Sequence, residues 1–281
     1  KECDWSSAVC SSDLEHYLTP IDHELAFERN RDTGFKFTAT AVAVFGEYTR
    51  RIYAETGACR ADQLHVTGSP RLDAWRDPVD VPAERNLITL VSYSTDNYLA
   101  PENFRSVLKL VADASQESAA TSPGLQFVVK CKTGADSSLV RRLLEQHTSH
   151  RLRIEIHTPL RDLFLRSRLI VGFNSMSLYE ALFTDTPVAV PRWGDADRPA
   201  GELLVNPEDP DTERQVSFCS APDAMAELLR RAAQQKLSRA EDTEGRLAVV
   251  RKFYHVPVDR TASASVAAFI MRHVQPRSTS Q

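Results

Sequence analysis

The sequence predicts an α/β protein with a doubly wound parallel sheet, accompanied by the remnant of a second domain of the same kind. Three observations carry that expectation. From about Leu87 onward, short β-branched or apolar runs alternate with amphipathic stretches of about ten to eighteen residues, the pattern of parallel βαβ units. Those runs are apolar throughout instead of alternating with polar residues, as expected for strands covered by helices on both faces. Upstream, Ala41–Phe45 and Leu64–Val66 read as two further strands around a helix from Glu47 to Thr56, which Gly57 ends as a C-cap.

Residues 1–14 stand outside this scheme. Cys3 to Leu14, CDWSSAVCSSDL, resembles the translation of a sequencing adapter with one substitution, and a scar of that sort is excluded from fold reasoning. Residues 15–75 are expected to be the end of one domain, and residues 76–258 the second, with a helix and a frayed tail over 259–281. Ser69–Ala83, with Pro70, Pro78 and Pro82 among Asp73, Asp77 and Asp80, reads as the linker. The strands of the second domain are predicted at Leu87–Val91, Gln126–Cys131, Arg153–Ile156, Leu169–Phe173, Pro187–Val190 and Gln215–Phe218. Helices are predicted near Glu102–Ser118, Ser137–His147, Pro159–Arg166 and Ser177–Phe183, then Pro222–Gln235, Ser238–Lys252 and Arg260–His273.

With 281 residues and 42% apolar content the chain can bury a full core. No run approaches the roughly 18 consecutive apolar residues that a membrane helix needs, and no charged-then-apolar leader opens the sequence, so a cytoplasmic protein is expected. The net charge of −4 becomes still closer to balance once Lys1, Glu2, Asp4 and Asp13 are set aside, which argues against a nucleic-acid partner. Cys59, Cys131 and Cys219 are far apart and lack CxxC spacing, so reduced thiols are expected, with neither disulfide nor zinc.

The densest concentration of chemistry is Leu169 to Pro191, LIVGFNSMSLYEALFTDTPVAVP, which joins strand, turn, helix, tight loop and strand. Gly172 admits a close backbone approach, and Asn174, Ser175, Met176 and Ser177 fall where the helix begins, at the sheet edge where such folds hold anions. Glu180, one turn on, has the geometry to accept from a ribose cis-diol. The plainer reading is that Ser175 or Ser177 caps a helix and Glu180 is solvated. Gly68 and Ser69 follow the second upstream strand, and Arg71 either faces phosphate or pairs with Asp73. Lys130 ends a strand as a phosphate contact or as a snorkelling lysine. His157, after the third strand of the sheet, is a base-stacking candidate or a surface residue. Ser92-Tyr93-Ser94-Thr95 offers hydroxyls or caps the next helix. Asp195-Ala196-Asp197 has the letters of a metal motif but follows a proline-rich turn and reads as a loop.

A strand ending in Gly172-Phe173-Asn174-Ser175, then Glu180-Ala181-Leu182, then Thr186-Pro187-Val188, resembles the donor-site motif of GT-B glycosyltransferases of capsule, lipopolysaccharide and teichoic-acid assembly. The glycerophosphotransferase and Kdo-transferase-like groups are the ones meant. Val42 to Trp75 is similar to the segment that closes the N-terminal domain of those enzymes. Where many of them carry Lys followed by His-Pro, this chain has Lys130-Cys131-Lys132-Thr133-Gly134 and departs from the pattern. The resemblance implies two Rossmann-like domains, with a nucleotide-activated sugar donor held by Gly68, Ser69, Arg71, Lys130, His157, Asn174, Ser175, Met176, Ser177 and Glu180. It implies a glycan or lipid-linked acceptor, no cofactor or metal, and peripheral association with the inner face of the cell membrane. About 55 residues between the scar and the linker are fewer than a Rossmann-like half needs, on the order of 100. The expectation is therefore a truncated chain that binds nucleotide without turning over, its catalytic base unknown. A UDP-sugar 2-epimerase-like isomerase and a non-catalytic nucleotide-binding module remain the alternatives.

Overall fold

In the computed structural model, which describes residues 37, 40–76, 84–92, 101–132, 134–145, 150–194, 199 and 203–273, the chain divides into two units. One comprises residues 1–77 with 248–281, the other residues 78–247. The sequence reading placed 76–258 together and set 259–281 apart. The first boundary thus lies two residues away, while residues 248–258 belong with the first unit.

In the first unit, β1 (Val42–Val44) and β2 (Leu64–Val66) pair in parallel, Val42 opposite Leu64 and Val44 opposite Val66. Helix α1 (Glu47–Glu55) makes the crossover with Ile52 and Tyr53 buried, and Gly57, at φ +70, follows its end. Beyond β2, Gly68 adopts φ +82, and a Cβ there would lie 2.6 Å from the His255 carbonyl oxygen. Only glycine meets both conditions, because the left-handed backbone disfavours a side chain and the space for one is already occupied.

The stretch expected to be a linker is partly folded. Pro70–Trp75 forms a 3-10 helix with Leu72 buried. It packs against the C-terminal helix Ala262–His273, called α9 below. The Asp73 carboxylate accepts from the Ala262 and Ser263 backbone N–H groups at 2.7 and 2.8 Å, so it caps α9 from across the chain. Arg76 adds a bond from Nη2 to the Val258 carbonyl at 2.8 Å. The remainder of the expected linker, from Asp77 to Ala83, lies outside the described residues, as do Tyr93 to Thr95 and Asp195 to Asp197.

The described residues of the second unit form one six-stranded sheet with helices. Its strands are β3 (Leu87–Val91), β4 (Gln126–Lys130), β5 (Leu152–Glu155), β6 (Ser167–Val171), β7 (Val188–Pro191) and β8 (Ser217–Cys219). Every pairing is parallel, in the order β5-β4-β3-β6-β7-β8. The unit's helices among the described residues are α2 (Pro101–Glu117), α3 (Gly134–Leu143), α4 (Leu160–Leu165), α5 (Ser177–Ala181), α6 (Pro210–Gln215) and α7 (Pro222–Ala233); α8 (Thr243–Arg251) begins in this unit, and its residues 248–251 belong to the first. Residues on both faces of β3 are buried. Ile88 and Leu90 join Phe104, Val107 and Leu108 of α2 and Met225 and Leu229 of α7 in one core. On alternate positions Leu87 and Thr89 are equally buried, α4 packs against β3 and β6, and the Thr89 hydroxyl bonds that of Ser167 at 2.8 Å. Each large apolar side chain so removed from water contributes roughly 1.5–3 kcal/mol, and this double coverage is why the strands read as continuous apolar runs.

Candidate functional site

The sheet order carries a consequence for where a ligand sits. The first strand of the second unit, β3, is central: the chain proceeds outward through β4 and β5, then returns to the other side of β3 with β6 and continues through β7 and β8. Helices connecting the two halves therefore depart to opposite faces, and in sheets of this order the C-terminal ends of the strands at the switch, here β3 and β6, are where ligands are generally held. Ser92 lies just past the end of β3, where its N–H donates to the Lys130 carbonyl at 2.8 Å. Gly172 to Met176 leave the end of β6, and Lys130 ends β4 on the next strand over.

The β6–α5 turn is closely built. A Cβ on Gly172 would meet Leu178 Cδ2 at 2.6 Å, so this glycine lets α5 lie against its own strand. Ser175 Oγ accepts from the Ser177 N–H at 3.3 Å, and the Ser175 carbonyl accepts from Leu178 N–H at 3.0 Å. Ser175 thus does the capping, while Met176, in helical conformation, occupies the N-cap position and its side chain makes no capping hydrogen bond. Asn174 turns its Oδ1 to the Val205 N–H at 3.0 Å, and the Tyr179 hydroxyl donates to the Leu204 carbonyl at 2.6 Å. Between them these bonds tie the segment Leu203–Val205, itself buried, to α5. Glu180 is 7% exposed, which rules out its reading as a solvated residue. A carboxylate held in that position is costly unless it is matched by polar partners.

The other end of α5 is held by Arg246, 2% exposed on α8. Its Nε donates to the Leu182 carbonyl at 3.3 Å, and its Nη2 to the carbonyls of Ala181 and Thr186 at 3.2 and 2.9 Å. Burial lowers its pKa to about 10, opposed by the charge of Asp185. A cation at the C-terminal carbonyls of a short helix replaces the turns that would otherwise satisfy them.

The remaining predicted residues fall into two groups. Lys130 stands at the ligand edge, but its amine donates to the Ile156 carbonyl; desolvation lowers its pKa, against the raising effects of Glu155 and Cys131. His157 is exposed after β5, the outermost strand on that side, two strands from the switch. Gly68, Ser69 and Arg71 belong to the first unit, where Ser69 is buried and Arg71 exposed. The Asp73 carboxylate, which the sequence offers as a partner for Arg71, caps α9. Sequence reasoning missed Asn103 on the first turn of α2. It is 5% exposed, its Nδ2 donates to the Trp193 carbonyl at 2.9 Å, and its buried Oδ1 has no hydrogen-bond partner among the described residues. A lone Asn near a helix start carries no signal of that kind; the placement of Trp193 beyond β7 creates it.

No family model matches the chain, and no curated protein matches it. Solved structures do. A variant of the wall teichoic acid polymerase TagF aligns over 83% of this chain and 57% of its own, with 14% identity and TM-score 0.53. A UDP-N-acetylglucosamine 2-epimerase candidate from Listeria monocytogenes aligns over 92% of this chain and 65% of its own, with 16% identity and TM-score 0.52. The fold is α/β, with parallel Rossmann-like sheets of the GT-B kind. This chain spans less than two thirds of the length of either neighbour. TagF has also been solved after soaking with CDPG, and that structure aligns with TM-score 0.53 and 15% identity.

Proposed function

We propose that this chain is the donor-binding part, with a portion of the acceptor part, of a GT-B glycosyltransferase that moves a sugar or sugar-like group from a nucleotide-activated donor to a cell-surface polysaccharide. The observation that carries the reading is the switch point between β3 and β6, with the Asn174–Ser177 turn at its rim and the buried carboxylate of Glu180 one helical turn behind it. The likeness to TagF supports it at the level of fold. In this reading the turn and Lys130 meet the donor phosphates, Glu180 accepts from the ribose hydroxyls, and leaving-group charge is stabilised electrostatically by fixed donors. Gly68, Ser69, Arg71 and His157 are proposed as further donor contacts, in the whole protein. The acceptor is proposed to be a glycan or a lipid-linked glycan, met at the inner face of the membrane. No helix among the described residues is long and apolar enough to cross it.

The test is a thermal-shift panel of CMP, UDP, GDP and CDP, followed by titration calorimetry of the nucleotide that binds. A ligand selective for the folded state raises the melting temperature with occupancy, about 2.7 kcal/mol at a hundredfold excess over Kd. Asn174→Ala and Glu180→Gln are expected to weaken the best nucleotide by about tenfold, the worth of one charge-assisted hydrogen bond. Unchanged affinity in both variants removes the site assignment. The second reading, an isomerase acting on one UDP-sugar, rests on the alignment with the epimerase candidate over 92% of this chain. Product analysis of the full-length protein separates the two, since one transfers the sugar and the other inverts a carbon of it.

A further inference from the structure

In the first unit a cavity of about 320 Å³ opens among β2, the amino-terminal half of α1 and α9, with Arg50, His65, Thr67, Arg260, Ser265 and Arg272 on its wall. Its charge is one-sided. Among the described residues the only acid lining it is Glu47, which already accepts from Arg50 Nε at 2.7 Å. Arg272 directs its Nε to the Ala268 carbonyl at 3.2 Å, a bond that leaves its charge uncompensated. Arg260 has no hydrogen-bond or ion-pair partner among the described residues. The imidazoles of His65 and His273 lie 4.9 Å apart with their planes inclined by 54°, beside the Phe269 ring. His65 titrates below its ordinary value, first through desolvation and then through the neighbouring His273 and Arg272. The floor is polar but committed: the Thr67 hydroxyl donates to the Val44 and Gly68 carbonyls, and the hydroxyl of buried Ser265 donates to the Thr261 backbone carbonyl.

Like charges gathered around one cavity repel, and an anion between them converts that repulsion to attraction. The planar fork of a guanidinium matches two phosphoryl oxygens at once, and Arg50, Arg260 and Arg272 each retain terminal N–H groups for that purpose. We propose that this cavity binds a phosphate-bearing ligand, its phosphoryl oxygens held by Arg260 and Arg272 with Arg50 on the third side. The phosphate belongs either to a soluble phosphoester or to an anionic phospholipid headgroup. Every wall residue lies in the first unit and none is among the proposed donor contacts, so the inference stands apart from the observation that carries the donor reading, the β3–β6 switch point of the second unit.

The experiment titrates the full chain with inorganic pyrophosphate by calorimetry at low salt, in the wild type and in Arg260→Ala/Arg272→Ala. Both arginines are exposed, so the variant is expected to melt with the wild type; Arg260→Glu provides a second variant that deletes no other contact. Pyrophosphate affinity is expected to fall at least tenfold in both. Co-sedimentation with phosphatidylglycerol vesicles, against phosphatidylcholine vesicles as control, forms the second arm. Pyrophosphate binding lost in the variants identifies a soluble phosphoester; vesicle binding alone, lost in the variants, identifies the headgroup. The proposal is overturned if neither probe binds the wild type, or if what binds does so equally in the variants.

Discussion

Two side chains with opposite charge define the neighbourhood of α5. Glu180 is buried on the helix itself, and Arg246 reaches it from α8 to close its C-terminal carbonyls. Their replacement should have different signatures. Glu180→Gln keeps the shape of the side chain and removes its charge, so the expected loss is in nucleotide affinity, with the urea midpoint little changed. Arg246→Met removes a buried cation from three carbonyl groups and from the field of Asp185. Equilibrium urea unfolding should show a loss of roughly 1–3 kcal/mol, the cost of leaving buried carbonyl acceptors without a donor. A loss under about 1 kcal/mol would mean that water or another donor takes over those carbonyls.

At the scale of elements, the docking of α9 on the 3-10 helix Pro70–Trp75 depends on Asp73. Desolvation would raise the pKa of that carboxylate, but bonds from Ser263 and Ala262, with the charge of Arg76, outweigh it and hold the value below the ordinary carboxylate one. A depressed folded-state pKa stabilises the protein above the unfolded value and ceases to do so as the pH falls through the folded one. The contribution of Asp73 should therefore be complete at neutral pH and lost on acidification below the ordinary carboxylate range. Asp73→Ala should lower stability by about 1 kcal/mol, the usual worth of a helix cap. The difference between variant and wild type should shrink in acid; a difference that persists unchanged there would show that the cap acts without its charge. The same arrangement explains a misreading. Three prolines among aspartates are the composition of a linker, but Pro70 at the start of a 3-10 helix and Asp73 at a distant helix terminus are folded uses of those residues. Likewise α6 was missed because six residues show no amphipathic period, although Asp209 followed by Pro210 is a start signal and Asp209 does accept from Thr212 N–H at 3.1 Å.

For the molecule as a whole, the cysteines report on how closely the core is packed. Cys59 and Cys219 are buried, and desolvation pushes both thiols up to about 11; Cys131, with no exposed surface, is also raised. At pH 8 roughly one part in a thousand of such a thiol is thiolate, the reactive form. These three positions should resist a disulfide reagent in the folded protein and label together on unfolding, as read by mass spectrometry of the modified peptides. Rapid labelling of any of them under native conditions would indicate local opening below the global unfolding free energy.

Most of the second unit was legible from its sequence. Leu87–Val91 matched residue for residue, and the other five strands were placed within about two, since strands shielded on both faces must be apolar along their whole length. The strand–turn–helix around the candidate site residues Asn174 to Glu180 was legible for a related reason: one unbroken segment carries all three elements. What only the tertiary structure decided is what those side chains touch. Asn174 meets Val205, Arg246 meets the end of α5, and Asp73 meets α9, at separations of 31, 64 and 189 residues. Local periodicity records which face of an element is buried, whereas a hydrogen bond across such distances depends on how the elements stack. That stacking follows from packing the whole core, which no window of sequence contains.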